Sequence, residues 1–345
     1  MADLGGSPSQ SRSADLVLEG GGVKGIALVG ALEVLEEHGY TYRRVAGSSA
    51  GAIVGSLVAA GIPAKRLATI LREIDYRRFR DGGPFSNTLL GRAGALALRS
   101  GIYHGNHLPD WLDEQLREHA GPGWTGVFAD LPYVDPDPER VIADSRRFRL
   151  VVTGSDLTNG RLRYFPWDFP AYGRDPGAER IVDSVRVSMS IPFFYRPVRW
   201  RETDGHVTWL VDGGMLSNYP IQVFDAPAGV APRWPTIGIK LSGRPQAGLG
   251  ITNTIKGPLG MGFAMLRTMM GFYDRLHIDA SDAIDRTIFV DTGKVRTTDF
   301  DLSTEDREML YQNGRKAAIE FLEGSDRRPA WDFDAYVAKH RHVAT

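Results

Sequence analysis

The pentapeptide Gly47-Ser48-Ser49-Ala50-Gly51 constrains the fold of this chain more than any other stretch. It follows a short apolar run and opens a longer segment that is apolar nearly all round. This order predicts a strand, a sharp turn and a buried helix, with a serine at the tip of the turn. We take Ser49 rather than Ser48 as the candidate nucleophile. Gly47 and Gly51 would support the turn, because larger side chains would clash with the neighbouring strand and helix. A small-residue turn without chemistry is the alternative.

A second glycine-rich turn lies upstream, in Gly20-Gly21-Gly22-Val23-Lys24-Gly25, between an expected strand and an expected helix. It matches the G-x-G-x-x-G fingerprint of dinucleotide-binding domains, but the next strand lacks the acidic residue that such domains carry about 20 residues later. The backbone N–H groups of Gly20, Gly21 and Gly22 could instead converge on an oxyanion. The side chain of Lys24 would add a cation nearby. A tight turn without a ligand is a third interpretation.

Asp212 is the candidate base for the serine, since a serine nucleophile needs a proton acceptor. It ends an apolar strand, so we expect it at the same sheet edge as Ser49, and Gly213 and Gly214 after it would allow close approach of another segment. A carboxylate is a weak base, and activity should be lost only below a pH of about 5.5. None of the eight histidines lies in a recognisable catalytic setting. A plain β-turn is the alternative for Asp-Gly-Gly.

Strands that alternate with helices predict a single three-layer α/β/α domain around a central, mostly parallel sheet. We expect a disordered leader over residues 1–13, the domain over 14–325 and a C-terminal tail over 326–345.

Composition narrows the function classes. The formal net charge is −1, so no global basic field indicates a nucleic-acid partner. The chain has no cysteine, which excludes disulfides and thiolate catalysis, and no histidine and carboxylate cluster at ligand spacing predicts a metal or cofactor. Because no signal peptide or membrane-spanning run is recognisable, we expect a cytoplasmic protein, with peripheral membrane contact as an option.

Residues 257–273 include Met261, Met265, Met269 and Met270, and Arg267 is the only charged residue from Pro258 to Tyr273. Methionine side chains are flexible, which suits a surface that receives acyl chains or a membrane. A core helix packed on the sheet is the alternative, because apolar stripes are usually buried.

Together these motifs resemble the patatin-like phospholipase family over roughly residues 15–325. The resemblance also includes Ser188-Met189-Ser190-Ile191-Pro192, and Asn218-Tyr219-Pro220 after the Asp-Gly-Gly turn. It implies hydrolysis of lipid acyl esters by a Ser–Asp dyad without histidine. By this resemblance, Ser49 is the nucleophile and Asp212 the base, and the backbone of Gly20–Gly22 with Lys24 forms the oxyanion site.

Two residues depart from the common pattern of the family. Glu19 stands where many members have aspartate, and Lys24 replaces the commoner arginine, which keeps the charge but loses bidentate hydrogen bonding. Three alternatives stay open: a transacylase on the same dyad, a catalytically silent lipid-binding or interaction module, and a Ser–Asp–His hydrolase with His277 as the third member.

Overall fold

The computed structural model describes residues 12–341, apart from 84–87, 138, 141, 203–204, 228–229, 243–254, 256, 258–259, 263, 266–267, 270–280 and 327. The strands are β1 (Arg12–Leu18), β2 (Tyr40–Gly47), β3 (Gly101–Tyr103), β4 (Leu150–Asp156), β5 (Arg161–Phe165), β6 (Phe193–Tyr195), β7 (Val198–Arg201), β8 (Val207–Asp212), β9 (Thr236–Lys240) and β10 (Thr287–Phe289). The α-helices are α1 (Gly25–Glu37), α2 (Ala50–Ala59), α3 (Ala64–Glu73), α4 (Leu89–Arg99), α5 (His107–His119), α6 (Ile181–Ser188), α7 (Ser281–Asp285), α8 (Thr304–Glu323) and α9 (Phe333–His340).

A central sheet arranges its strands in the order β10-β9-β1-β2-β4-β8-β7, with β5 also paired to β4. The pairs among β10, β9, β1, β2 and β4 are all parallel. The pairs that β4 makes with β5 and β8, and the pair of β7 with β8, are antiparallel. A separate two-stranded sheet pairs β3 with β6 in parallel. The predicted α/β class with a central, mostly parallel sheet is confirmed.

Both faces of the central sheet are buried, as expected for parallel strands. In β1, Leu16 and Leu18 pack into the large core that contains α1, α2 and α8, whereas Val17 points to the opposite face. There Val17 meets a second cluster that includes Tyr219 and Ile221, from the segment after β8. This period-two alternation places the ends of β1 and β2 between two packed layers, which fixes the loops that follow them.

The structure corrects the boundaries expected at both ends of the domain. Strand β1 begins at Arg12, inside the predicted leader; residues 1–11 lie outside the described residues. The predicted tail contains α9, and its Tyr336 is buried. Just before α9, Trp331 stacks on Phe321 of α8 with ring centroids 5.1 Å apart. The short aromatic pattern of this segment was too sparse for its helix to be predicted.

Candidate active site

Ser49 occupies the turn between β2 and α2 in a strained backbone conformation. Its φ of 50° and ψ of −119° lie in a region that non-glycine residues rarely adopt. The Oγ atom of its neighbour Ser48 is buried and has no hydrogen-bond partner within the described part of the chain. The backbone strain of this turn therefore lies at Ser49, the serine that the sequence predicts as the nucleophile.

The two glycines of the turn are needed for close packing. A Cβ atom on Gly51 would lie 2.2 Å from the carbonyl oxygen of Leu18, at the end of β1. A Cβ atom on Gly47 would lie 2.2 Å from the carbonyl oxygen of Gly51. Both distances are far inside van der Waals contact, so neither position can carry a side chain without a backbone shift. The steric reason predicted from the sequence agrees with this packing.

Asp212 ends β8 beside Ser49, although β8 runs in the direction opposite to that expected. Its pairing partner on β4 is Gly154, which lies just beyond the level where β2 ends. The register, rather than the strand direction, brings the carboxylate to the serine. Close approach depends on Gly213, where a Cβ atom would lie 2.1 Å from Oγ1 of Thr153.

The Asp212 carboxylate is almost fully buried and has two hydrogen-bond donors. The N–H of Gly214 donates to Oδ1 at 2.7 Å, and the Ser49 side chain donates a second hydrogen bond. Burial raises the pKa of Asp212 from 3.8 to about 7, although both hydrogen bonds lower it. The carboxylate is therefore a much stronger base than we expected from the sequence, and its proton affinity suits transfer near neutral pH.

The glycine loop lies directly against the serine turn. A Cβ atom on Gly20 would lie 3.0 Å from Cβ of Ser49. However, the N–H of Gly20 already donates to the carbonyl oxygen of Asn218 at 3.1 Å, so it is not free for an oxyanion. Among the described residues, the N–H groups of Gly21 and Gly22 have no backbone acceptor. This corrects the predicted set of donors to the last two glycines.

Gly22 needs its left-handed backbone, with φ of +57°. A Cβ atom there would lie 2.0 Å from the carbonyl oxygen of Thr297, and the same oxygen accepts the N–H of Val23 at 3.2 Å. The loop after β10 thus packs against the outside of the glycine loop, a contact that no local sequence pattern predicts.

Lys24 faces the β9 side of the glycine loop. Its Nζ donates to the carbonyl oxygen of Leu241 at 3.4 Å and to Oγ1 of Thr292 at 3.5 Å. Burial lowers its pKa, the charge of Glu19 raises it and the charge of Lys240 lowers it again. The cation is tethered at the site, and its predicted role toward an oxyanion stays a prediction.

Glu19 forms a buried ion pair with Lys240 and also accepts the N–H of Leu241. These contacts fasten the end of β1, where the glycine loop starts, to the end of β9. A buried carboxylate with a charged partner is consistent with a positioning role, which the sequence did not reveal.

The segment Ser188–Ser190, at the end of α6, contacts both members of the predicted dyad. The N–H of Ser49 donates to Oγ of Ser188 at 2.9 Å, and the N–H of Asp212 donates to the carbonyl oxygen of Ser190 at 3.0 Å. The sequence had marked this segment only through the family resemblance, without a role for its side chains. Asn218, marked in the same way, donates from Nδ2 to the carbonyl oxygen of Gly20 at 3.0 Å.

No histidine among the described residues hydrogen-bonds to Ser49 or Asp212. His340, for example, contacts Asp285 at 2.7 Å, and His277 lies outside the described residues. Within the same residues no cluster of histidine and carboxylate side chains could hold a metal ion. The absence of a metal from the reaction stays a prediction.

The methionine segment is exposed where the structure describes it. Met261, Met265 and Met269 are 53%, 58% and 41% exposed, whereas Ala264 is buried. The core alternative is therefore wrong for these three side chains; Met270 lies outside the described residues. None of the helices in the described ranges combines the length and apolar character needed to cross a bilayer.

Among the described residues, two of the cavities lie away from the dyad. One, of about 450 Å³, is lined on the second face of the sheet by Tyr164, Trp167 and Ile221, among others. A smaller one borders Asp15 and Arg44. Neither includes Ser49 or Asp212, so neither defines the candidate active site.

Several known proteins are similar to this chain. An uncharacterized protein of Bacillus subtilis is 33% identical over 309 residues, which cover 89% of this chain and 97% of that protein. An uncharacterized protein of Acanthamoeba polyphaga mimivirus is 24% identical over 320 residues, 90% of this chain and 93% of that protein. Among solved structures, VipD from Legionella pneumophila aligns with a TM-score of 0.49 and 18% identity, over 91% of this chain and 67% of VipD. The model of the patatin-like phospholipase family matches residues 16–225. The chain belongs to the patatin-like phospholipase family.

Proposed function

We propose that the protein is a serine acyl hydrolase that cleaves acyl esters of lipids or phospholipids through a Ser49–Asp212 dyad. Family membership supports a lipid hydrolase. The observation that carries the mechanism is the hydrogen bond between the Ser49 side chain and a buried carboxylate whose pKa is raised to about 7. A structural carboxylate is usually held at a low pKa by charged partners, whereas this one is ready to accept a proton.

In the first half of the reaction, ionised Asp212 accepts the proton of Ser49 Oγ as that oxygen attacks the ester carbonyl carbon. The negative charge that develops on the carbonyl oxygen is stabilised by the N–H groups of Gly21 and Gly22 and by the positive end of the helix that follows them. Collapse of the tetrahedral species breaks the bond to the alcohol, which leaves with the proton from Asp212. Ser49 then carries the acyl group.

The second half uses the same groups with water as the nucleophile. Asp212 accepts a proton from water as its oxygen attacks the acyl-enzyme, and returns that proton to Ser49 Oγ when the free fatty acid leaves. No group other than the dyad, the oxyanion donors and water is needed for the atoms and charges to balance.

A fluorophosphonate probe tests the nucleophile. The wild type and Ser48→Ala should both form an adduct that peptide mapping locates on Ser49, and Ser49→Ala should form none. Ser48→Ala is the matched control, because that buried hydroxyl makes no hydrogen bond within the described residues. Undiminished labelling of Ser49→Ala would refute the assignment.

Lipid profiling by mass spectrometry tests the reaction itself. The wild type should release free fatty acid from lipid mixtures, and Ser49→Ala should not. Transfer of the acyl group to another alcohol would appear in the same spectra as a new ester and would favour a transacylase. If wild type and Ser49→Ala gave identical lipid profiles under all conditions, the protein would be a silent binding module.

A peripheral contact with lipid through Met261, Met265 and Met269 is part of this proposal. All three side chains are exposed and recur at intervals of four residues along helical backbone, so they share one face. Flexible apolar side chains on one helical face suit contact with disordered acyl chains.

A further inference from the structure

Helix α4 is rich in apolar residues and exposes part of its surface, as far as its side chains are described. Between Leu89 and Arg99 its residues other than the arginines are all leucine, alanine or glycine. None of its side chains that the structure describes is buried, and Leu98 is 84% exposed. A helix of this composition on the surface of a globular protein indicates a face that meets another apolar medium.

This helix is connected to the candidate active site through the small sheet. Helix α4 leads directly into β3, and β3 pairs with β6 so that Gly101 lies opposite Phe193. Strand β6 begins three residues after Ser190, whose segment contacts both dyad residues. The methionine segment also lies near β6, since a Cβ atom on Gly262 would lie 3.7 Å from the Phe193 ring. Helix α4 and the exposed methionines therefore flank the same pair of strands.

The backbone at this junction is strained, as the backbone at Ser49 is. Phe193 has a φ of +68°, in the left-handed region that bulky residues rarely adopt. Its neighbour Phe194 stacks on Phe300 with ring centroids 5.3 Å apart and planes tilted by 7°. The stacking packs β6 against the segment that precedes α8, and this packing must offset the cost of the strained backbone.

The two segments that contain the strands of the small sheet share one charge pattern. Residues 82–109 and 184–201 contain no aspartate or glutamate, and they carry two and four arginines. The chain as a whole has a formal net charge of −1. These two segments therefore have a net positive charge, although the whole protein is nearly neutral.

The cations at the end of α4 lie close together. Burial, and then the charge of Arg99, lower the pKa of Arg196. Nη2 of Arg196 lies 3.1 Å from Nε2 of His104, and burial followed by the charge of Arg196 lowers the His104 pKa. Asp81 opposes these effects, but its oxygens already accept the N–H groups at the start of α5. Because Nε2 of His104 accepts the hydrogen bond from Arg196, the ring is uncharged, and the cations here are Arg99 and Arg196. Their mutual repulsion favours an anionic partner.

We propose that this surface docks the protein on a bilayer that contains anionic phospholipid. The docking face consists of Leu98, Arg99, Met261, Met265 and Met269. Leu98 and the methionines enter the interface, and Arg99 contacts lipid phosphate. This inference rests on the proposed function, because docking would bring a lipid hydrolase to its substrate. Binding to vesicles can nevertheless be measured without turnover.

Vesicle sedimentation of the Ser49→Ala protein tests the docking, because that variant does not consume the lipid. It should bind phosphatidylcholine vesicles that contain phosphatidylglycerol far better than phosphatidylcholine alone, and added salt should weaken the binding. Arg99→Gln should weaken it about fivefold, the effect of about 1 kcal/mol for one arginine near an anionic surface. Leu98→Gln with Met265→Gln should weaken binding to both vesicle types.

Matched controls lie elsewhere on the surface. Lys316→Gln removes an exposed cation of α8, and Val134→Gln replaces an exposed apolar side chain of the loop before β4. Both should bind vesicles like the parent. In the Ser49-intact protein, the docking variants should still cleave a soluble short-chain ester at the wild-type rate, since none of these residues contacts the dyad.

Equal binding to neutral and anionic vesicles, or equal losses in the control variants, would overturn the proposal. A face that binds neither vesicle but changes the oligomeric state when Leu98 and Met265 are replaced would belong to a second copy of the chain instead. Docking without fatty-acid release by the wild type would reject the hydrolase and keep the docking face. Fatty-acid release without any preference for anionic vesicles would reject the docking face and keep the hydrolase.

Discussion

The pH dependence of stability should carry a direct signature of the buried base. Folding raises the pKa of Asp212 from 3.8 to about 7, so the folded state disfavours the ionised form. The resulting loss of stability is absent below a pH of about 3.8, grows as the pH rises and is complete above a pH of about 7. At high pH the full loss of folding stability is on the order of 4 kcal/mol.

Asp212→Asn removes this ionisation with little change of shape. The amide oxygen can still accept the N–H of Gly214, and the amide nitrogen can donate to Ser49 Oγ. Relative to the wild type, the variant should therefore gain stability with increasing pH. The two pKa values give a loss in the wild type of about 2 kcal/mol at pH 5 and about 4 kcal/mol at pH 8.

Urea unfolding of both proteins at pH 5 and pH 8 measures this effect. The difference in unfolding free energy between Asp212→Asn and wild type should rise by about 2 to 3 kcal/mol across that interval. All other titrating groups are common to both proteins and cancel in the comparison. A difference that does not change with pH would show that Asp212 titrates normally in the folded protein, and would refute its assignment as a base tuned by burial.

Four further outcomes follow from the same geometry. The acid limb of kcat/KM should lie near pH 7, with activity lost as the pH falls and Asp212 is protonated; a pH–rate profile that stays flat down to about 5.5, as the sequence predicted, would contradict the structure. Ser188→Ala should leave the Ser49 N–H unsatisfied and lower kcat about tenfold or more with little effect on KM, at a cost of about 1–3 kcal/mol. Gly22→Ala should lower the melting temperature, because it combines a strained φ with a clash at Thr297; a melting temperature equal to that of the wild type would be inconsistent with the loop geometry. Exhaustive chelation should leave hydrolysis of a soluble ester unchanged, and a requirement for added calcium or zinc would contradict the metal-free dyad.

The sequence predicted those parts of the fold and of the candidate site that depend on local patterns. The serine turn, the glycine loop and most of the strands and helices followed from apolar periodicity and glycine positions, because these are set by neighbours in the chain. The placement of Asp212 was predicted for an incorrect reason. Strand direction cannot be read from one apolar run, and the actual cause is the register of β8 against β4.

The remaining features depend on contacts between distant residues. The Gly20 N–H was expected to be free, but Asn218, almost 200 residues later, accepts it. The raised pKa of Asp212 depends on burial, which no local pattern reports. Helix α4 was not predicted, because its glycines and alanines leave a weak helical period.

The segment Ser188–Ser190 connects these long-range features. It holds the backbone of Ser49 through a side chain and the backbone of Asp212 through a carbonyl oxygen. Arg186, one turn earlier, donates to Oγ of Ser190 and to the carbonyl oxygen of His104, next to β3. A displacement of the small sheet at a lipid surface would therefore reach the dyad through Arg186 and Ser190. If the dyad is catalytic and the docking face binds lipid, vesicles should raise kcat on a soluble ester. Arg186→Lys should reduce that increase more than it reduces the rate without vesicles, because lysine cannot make the divergent hydrogen bonds of the guanidinium.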